Sequence, residues 1–426
     1  MSHRSGIRKA GRVDLKSMEV DLRLDKMVHG GLALGHLSDG RVALVRGGLP
    51  GEQVRAQLEP KKGVLQGEVM AVLEPSSLRV KPPLHPGLDY GFVSYEGQLE
   101  LKRQVIEDAL ERALKRNVNI PQLRPAPSAW HYRSAVQPVV TPSGLGYRAP
   151  SSHKAVSLSE DPVANSALNT FWGRWPGAAP KGVRELALRG NEAGEVLVCF
   201  IATTSARNLL SFAHGLLKET NAVGVSYARH DSRGRFRRGS ERLAGERSIR
   251  QRYGSFEVTV NATSFAQPNP LAAGLLYKRL VELAPGGQHA FELYAGGGVI
   301  GMHLLEKYDR VTALEIDKGS VTRGRRDAAR LGLDVVFVHS DAKRVDIPAD
   351  ADLVVVDPPR SGLAKDLREL IDRSSSTALL YVSCDVVTWA RDVAAFEKLG
   401  WTLETFEPFD FYPQTHHIEL LSKLSR

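Results

Sequence analysis

From Met18 to Leu24 apolar residues (Met18, Val20, Leu22, Leu24) alternate with charged ones (Glu19, Asp21, Arg23). That is the period of two a half-buried strand imposes. Turn signals at Gly30-Gly31, Asp39-Gly40 and Leu49-Pro50-Gly51 separate further β-rich runs over 41–45, 53–58 and 65–73. Short strands joined by tight turns predict a small OB-like β-barrel, a shape that often binds oligonucleotides. An SH3-like interaction module fits the same pattern.

The period then changes. Leu99, Val105, Ile106, Ala109, Leu110 and Leu114 recur at helical spacing over 96–115, with Lys102, Arg103 and Glu107 on the opposite, polar face. Residues 126–262 return to a β pattern, with strands over 132–140 and 145–148 flanking Pro142-Ser143-Gly144, an apolar strand over 195–203 and a surface loop over 176–182. From about Gly286 strands (290–294, 310–315, 335–339, 351–357, 378–383, 401–407, 416–421) alternate with helices such as 319–331 and 387–399. This order predicts a seven-stranded, Rossmann-like α/β sheet.

Composition narrows the possibilities. A chain of 426 residues exceeds one ordinary core, so two or three domains are expected. With 42% hydrophobic and 25% charged residues it is globular, and no apolar run is long enough to cross a bilayer. Residues 1–12 are basic without an apolar stretch, so export is not expected. Two cysteines make no disulfide framework and suit a reducing cytoplasm. A net charge of +9 points to a polyanionic partner. Eight arginines between 233 and 252 leave little to pack there, so that run reads as a solvated hairpin or, in view of the barrel upstream, as a phosphate-contacting surface.

Candidate chemistry gathers at predicted strand ends. Gly296, Gly298 and Gly301 match the dinucleotide-binding spacing, and Glu315 follows at the distance of an acid that grips ribose hydroxyls. Hydride transfer with a nicotinamide and binding of S-adenosyl-L-methionine both use such a turn. Glu292, just before the glycines, suits the ammonium of a methionine moiety. Asp357-Pro358-Pro359-Arg360 holds a carboxylate over the crevice on a stiffened loop, and arginine in place of an aromatic argues against amine methylation. Cys384 ends the apolar run 379–383, where a parallel sheet binds its ligands. It is a candidate nucleophile, although free cysteines commonly just pack as small hydrophobes.

Together these residues resemble the RNA 5-methyluridine methyltransferase family, the RumA/TrmA type. The likeness rests on Ser264-Phe265-Ala266-Gln267-Pro268-Asn269, the Asp-Pro-Pro-Arg run at 357–360, Ser383-Cys384-Asp385 continuing to Thr388-Trp389-Ala390-Arg391-Asp392, and 411–419 with its terminal Glu419. The barrel with its turn at 47–52 resembles the TRAM module of the RumA branch. The resemblance implies a TRAM-like RNA-binding barrel over 14–76, a central RNA-binding domain over 77–95 and 126–262, and a catalytic domain over 96–125 and 263–426. It implies methylation of uridine C5, in 23S ribosomal RNA more than in transfer RNA, with Cys384 attacking uracil C6 and Glu419 as the base that removes the C5 proton. Phe265 and Asp357 would hold the base, outside its stack. Gln267, Tyr294, Gly296, Gly298, Val299, Glu315, Asp341 and Asp357 would hold S-adenosyl-L-methionine. Asp385 would be a positional neighbour or a thiol-orienting acid, not the base.

The chain departs from the family at Ala295, Val299 and Ala266, and it lacks the cysteines of the family's iron–sulfur cluster. The matching stretch has His85 and Asp89, and Asp161 stands for the last cysteine, so no cluster and no metal are expected. No membrane and no obligate protein partner are implied. A catalytically inactive RNA-binding protein, a nicotinamide oxidoreductase and a cytosine-C5 enzyme remain as alternatives.

Overall fold

A computed structural model describes residues 17–426 except 62, 151, 153, 233–235 and 237–238. The basic segment 1–12 and four arginines of the charged run, Arg233, Arg235, Arg237 and Arg238, lie outside the described residues. The chain divides between Arg79 and Val80 into two compact units.

The first unit is a closed barrel of β1 (Met18–Val28), β2 (Leu32–His36), β3 (Val42–Arg46), β4 (Gln53–Lys61) and β5 (Val64–Glu74) in the order β1-β2-β3-β5-β4. The alternation of β1 turns Leu22 and Leu24 inward to meet Val54, Ala56 and Leu58 of β4. Strand β2 is missing from the sequence reading because Gly35 lowers its strand propensity. The glycine is required, since a Cβ there would lie 2.5 Å from the Arg23 carbonyl oxygen. Glu52 of the 47–52 turn is buried and accepts from Leu49 N (2.8 Å), Ser76 N (3.1 Å) and Arg79 Nε (2.6 Å), which locks the turn.

The second unit holds two large sheets. After α1 (Tyr95–Leu114) come β6 (Ala135–Val136), β7 (Val139–Thr141), β8 (Gly144–Arg148), β9 (Ala155–Ser157), α2 (Ser166–Gly173), β10 (Val183–Gly190), β11 (Val196–Ala202), α3 (Leu210–Glu219), β12 (Ala222–Arg229) and β13 (Glu241–Gly245). They form one sheet, β13-β12-β11-β10-β7-β8-β9, with β6 also on β10. The strand expected over 132–140 is broken into β6 and β7 because Pro138 has no N–H to give a ladder. The hairpin β14 (Ile249–Tyr253) and β15 (Phe256–Val260) follows. The described end of the arginine run is therefore strand as well as surface: Arg250 pairs at 3.0 Å with Asp327, a buried acid.

The last part contains α4 (Pro270–Leu283), β16 (Gly287–Leu293), α5 (Val299–Leu304), β17 (Tyr308–Glu315), α6 (Lys318–Leu331), β18 (Val335–His339), β19 (Leu353–Val356), α7 (Lys365–Arg373), β20 (Ala378–Ser383), α8 (Val386–Lys398), β21 (Thr402–Phe409) and β22 (Glu419–Ser425). The sheet order β18-β17-β16-β19-β20-β22-β21 is the expected Rossmann-like α/β architecture, parallel except for β22. The last strand starts at Glu419 and not at 416, so His416 and His417 belong to the turn before it.

Helix α1 corrects the sequence reading. Lys102, expected on the polar face, is 0% exposed and pairs at 2.6 Å with the equally buried Asp410. A buried charge is tolerated only where a partner meets it, and that partner lies 308 residues away. No described helix is long and apolar enough to cross a membrane.

Candidate active site

Three strand ends meet at one edge of the Rossmann-like sheet. Asp357 follows β19, Cys384 follows β20, and Glu419 opens β22, which runs antiparallel beside β20 with Ser383 opposite Leu420. The antiparallel seventh strand is what carries its first residue to the edge where the parallel strands end. Glu419 is 1% exposed, and neither carboxylate oxygen has a hydrogen-bond partner. Burial pushes its carboxyl well above the usual range, with Asp357 adding to the shift and Arg360 opposing it. Burial likewise pushes Asp357 up to about 7. For Cys384, burial and the acids Glu419 and Asp357 push the thiol up to about 12, against the pull of Arg360.

Iodoacetamide should therefore alkylate Cys384 in the substrate-free protein at a rate that climbs about tenfold per unit between roughly pH 7 and pH 10, because reactivity follows the thiolate fraction. A plateau near the ordinary thiol range of about 8.5 would contradict this. Cys199, buried in β11 and also pushed up by burial, to about 11, serves as the internal comparison.

The scaffold explains the rest of the motifs. Asp385 caps α8, accepting from Thr388 N at 2.9 Å, and Thr388 Oγ1 donates to the Arg360 carbonyl oxygen at 2.9 Å. Asp385 is thus an N-cap that ties the Cys384 turn to the 357–360 loop. Asp392 is buried and accepts from Leu363 N (2.8 Å), Arg368 (2.5 Å) and Tyr381 OH (2.9 Å), which fixes the loop from behind. Arg360 reaches to 3.2 Å from His417 Nε2, and burial pulls His417 down to about 3, so it stays neutral beside the guanidinium.

Phe265 is 80% exposed, a bare ring on a loop held by Ser264 and Asn261. Gln267 follows it, with Oε1 buried and unpartnered. Asn269 is structural: it caps α4 and donates to the Phe411 carbonyl oxygen at 2.9 Å. The segment 411–419 is pinned by groups that helical periodicity did not reveal. Gln98 exchanges hydrogen bonds with Gln414 (2.8 and 2.9 Å), and Tyr132 OH donates to Pro413 O at 2.9 Å.

A cavity of about 460 Å³ lies at the carboxyl ends of β16, β17 and β18, lined by Tyr294, Glu315, Asp341, Pro359 and Leu363 among others. Tyr294 has a left-handed backbone (φ 62°), a conformation that costs a non-glycine residue and recurs at ligand sites. Glu315 accepts from Gly296 N at 2.8 Å and so braces the glycine turn. Gly298 and Val299 do not line the cavity. A Cβ on Gly298 would sit 2.5 Å from Phe337, so close packing requires the glycine. Glu292 overturns an expectation: it is buried and accepts from Gly301 N at 2.9 Å at the start of α5, instead of facing the crevice. Polarity alone did not reveal this, because a β-strand buries both faces in a parallel sheet.

Where the resemblance would put cluster cysteines, polar pairs stand. His85 Nε2 is 3.6 Å from Asp161, Asp161 accepts from Tyr147 OH at 2.5 Å, and Asp89 accepts from His416. Among the described residues no group of three or more His, Cys, Asp and Glu could hold a metal ion.

Two family models match the chain, tRNA (uracil-5-)-methyltransferase over residues 345–426 and the methyltransferase small domain over 270–377. An uncharacterized RNA methyltransferase of Thermosynechococcus vestitus is 30% identical over 442 residues, covering 95% of this chain and 98% of its own length. The chain belongs to the RNA uracil-5-methyltransferase family. A relative from Thermotoga maritima, also an uncharacterized RNA methyltransferase, is 27% identical over 93% of this chain and 97% of its own. The fold is that of the Pyrococcus abyssi tRNA (uracil-54, C5)-methyltransferase, solved with S-adenosyl-L-homocysteine, with a TM-score of 0.78 and 24% identity over 95% of this chain and 99% of that one. As a member of the family, the protein is an RNA methyltransferase.

Proposed function

We propose that this enzyme forms 5-methyluridine in 23S ribosomal RNA, with Cys384 as nucleophile and Glu419 as base. The observation that carries the assignment is the meeting of Cys384, Asp357 and Glu419 at adjoining strand ends, with Glu419 buried and unpartnered. Uracil C5 is too weak a nucleophile to take a methyl group unaided. Attack of the Cys384 thiolate on C6 makes C5 enolate-like and able to attack. Bound S-adenosyl-L-methionine supplies the electrophilic methyl group. Glu419, acting in its carboxylate form, then takes the C5 proton; the C–H electron pair forms the C5–C6 double bond as the C6–S bond breaks and releases the thiolate.

Asp357, pushed up to about 7 by burial, can hold the uracil edge by donating as well as accepting. Phe265, an exposed ring, is suited to stack on a uracil drawn out of the RNA. Tyr294, Glu315 and Asp341 are assigned to the nucleoside end of the cofactor on the strength of the cavity they line. Gln267, through its free Oε1, and the backbone of Gly296, Gly298 and Val299 are assigned to the same ligand by the family resemblance of their motifs, outside the walls of that cavity. The barrel is read as an RNA-binding TRAM-like domain, the sheet β6–β13 as a central RNA-binding domain, and the Rossmann-like part with α1 as the catalytic domain. The two-cysteine composition supports action in the cytoplasm.

Transfer RNA is the second reading, favoured by the likeness to a transfer-RNA enzyme across nearly the whole chain. Mass spectrometric mapping of 5-methyluridine in RNA from cells with and without the gene separates the two. Loss of a ribosomal site is expected, whereas loss confined to transfer RNA would replace the first reading by the second.

A further inference from the structure

We propose that the cavity between β10 and the 261–264 loop, walled by Arg133 and Arg189, is a binding site for a phosphodiester of the RNA chain close to the uridine that Phe265 receives. This inference rests on the proposed role of Phe265. The cavity measures about 360 Å³, and Arg133, Arg189, Asp161, Tyr147, Phe236 and Ser264 are among its walls.

Strand register brings the two arginines together. Arg189 on β10 pairs with Ala135 on β6. Arg133 lies two residues before Ala135, across the bend at Ser134, and both arginines wall the cavity. Arg189 is 4% exposed. One of its terminal nitrogens donates to the Ser264 carbonyl oxygen at 2.8 Å, while its Nε and its other terminal nitrogen are buried with no hydrogen-bond partner among the described residues. Arg133 Nε is likewise buried and unpartnered. Arg323 and Tyr253 also act on Arg189; the Tyr253 hydroxyl donates its proton to Gln267 O at 2.8 Å and turns its oxygen to the Arg189 side chain, so the guanidinium is met on that side and its remaining donors are the ones left for a ligand.

A buried guanidinium with idle donors is costly unless a ligand completes it. The acid in the same wall does not complete it. Asp161 already accepts from Tyr147 OH (2.5 Å) and Val163 N (3.0 Å) and faces His85 at 3.6 Å. Two arginine forks with free N–H groups match the oxygens of a phosphate. The Arg189–Ser264 hydrogen bond also links the cavity directly to the residue before Phe265, so a phosphate held there would lie next to the extruded base. Neither arginine is used in the proposed methyl transfer.

The test measures binding of a short, fluorescein-labelled single-stranded uridine oligomer between about 50 and 200 mM KCl, with S-adenosyl-L-homocysteine binding as the check on folding. Arg189→Gln and Arg133→Gln should each weaken RNA binding about tenfold and flatten the plot of log affinity against log salt by about 0.7, the effect of one lost phosphate contact on a single strand. Arg189→Lys, which keeps the charge and loses the fork, should restore the slope and only part of the affinity. S-adenosyl-L-homocysteine binding should be unchanged throughout. Wild-type affinity and slope in both glutamine variants would overturn the proposal, and so would weaker binding with an unchanged slope. If Arg189→Gln fails to fold, the half-exposed Arg133→Gln decides by the same two criteria. Failure here is separable from failure of the active-site reading, which shows as methyl transfer without Cys384 whatever the salt slope.

Discussion

Cys384→Ala is expected to abolish methyl transfer to uridine, with a loss on the order of 10⁴-fold or more, the scale on which removal of a covalent nucleophile is felt. No neighbouring group can replace it. Glu419, Asp357 and Asp385 are acids that act on the thiol, and a carboxylate is a far weaker nucleophile towards C6. The variant should fold normally, because Cys384 is only partly buried and its removal leaves little cavity. S-adenosyl-L-homocysteine binding should therefore match the wild type. With RNA containing 5-fluorouridine, the wild type should form a protein–RNA adduct that survives denaturation, since fluorine at C5 cannot leave as a proton. The alanine variant should form none. Methyl transfer by Cys384→Ala at a rate near the wild type would end the covalent reading.

Glu419→Gln should separate the steps that Cys384→Ala removes together. Attack on C6 and methyl transfer do not need the Glu419 carboxylate, whereas removal of the C5 proton does. The variant should accumulate a covalent adduct with ordinary uridine RNA, and turnover should fall by about 10²–10⁴-fold, the usual contribution of a positioned base. The fold should tolerate the change: glutamine has nearly the same shape, and the carboxylate it replaces is buried without a partner and so costs stability whenever it is charged. Turnover near the wild-type rate, or lost turnover without adduct, would move the base to another residue. Asp357 would then be the base, because it lies at the adjoining strand end and its carboxyl is held up to about 7.

Much of this site is legible in the chain because each candidate sits where a pattern breaks. Cys384 interrupts at the end of an apolar strand, Asp357 stands before two prolines, and the glycines of the 296–301 turn open a helix. Propensity and period report such local transitions well. They say little about a charged residue inside a regular element. Lys102 belongs to the helical polar face and is nevertheless buried, Glu292 lies within an apolar strand and turns inward to Gly301, and Asn269 in a substrate-like motif serves as a cap. Each answer depends on a group distant in sequence.

The Rossmann-like class, the barrel and the candidacy of Cys384 as nucleophile are legible in the sequence alone, because alternation, helical period, turn residues and a rare cysteine are local properties. Only the tertiary structure decides that Glu419 opens its strand beside Cys384, that Gln98 and Lys102 hold the 411–419 segment, and that Arg133 and Arg189 face one cavity. The physical reason is desolvation. Whether a buried charge is a scaffold, a base or a ligand's partner depends on which groups share its low-dielectric surroundings, and strand pairing and packing bring those groups together from opposite ends of the chain.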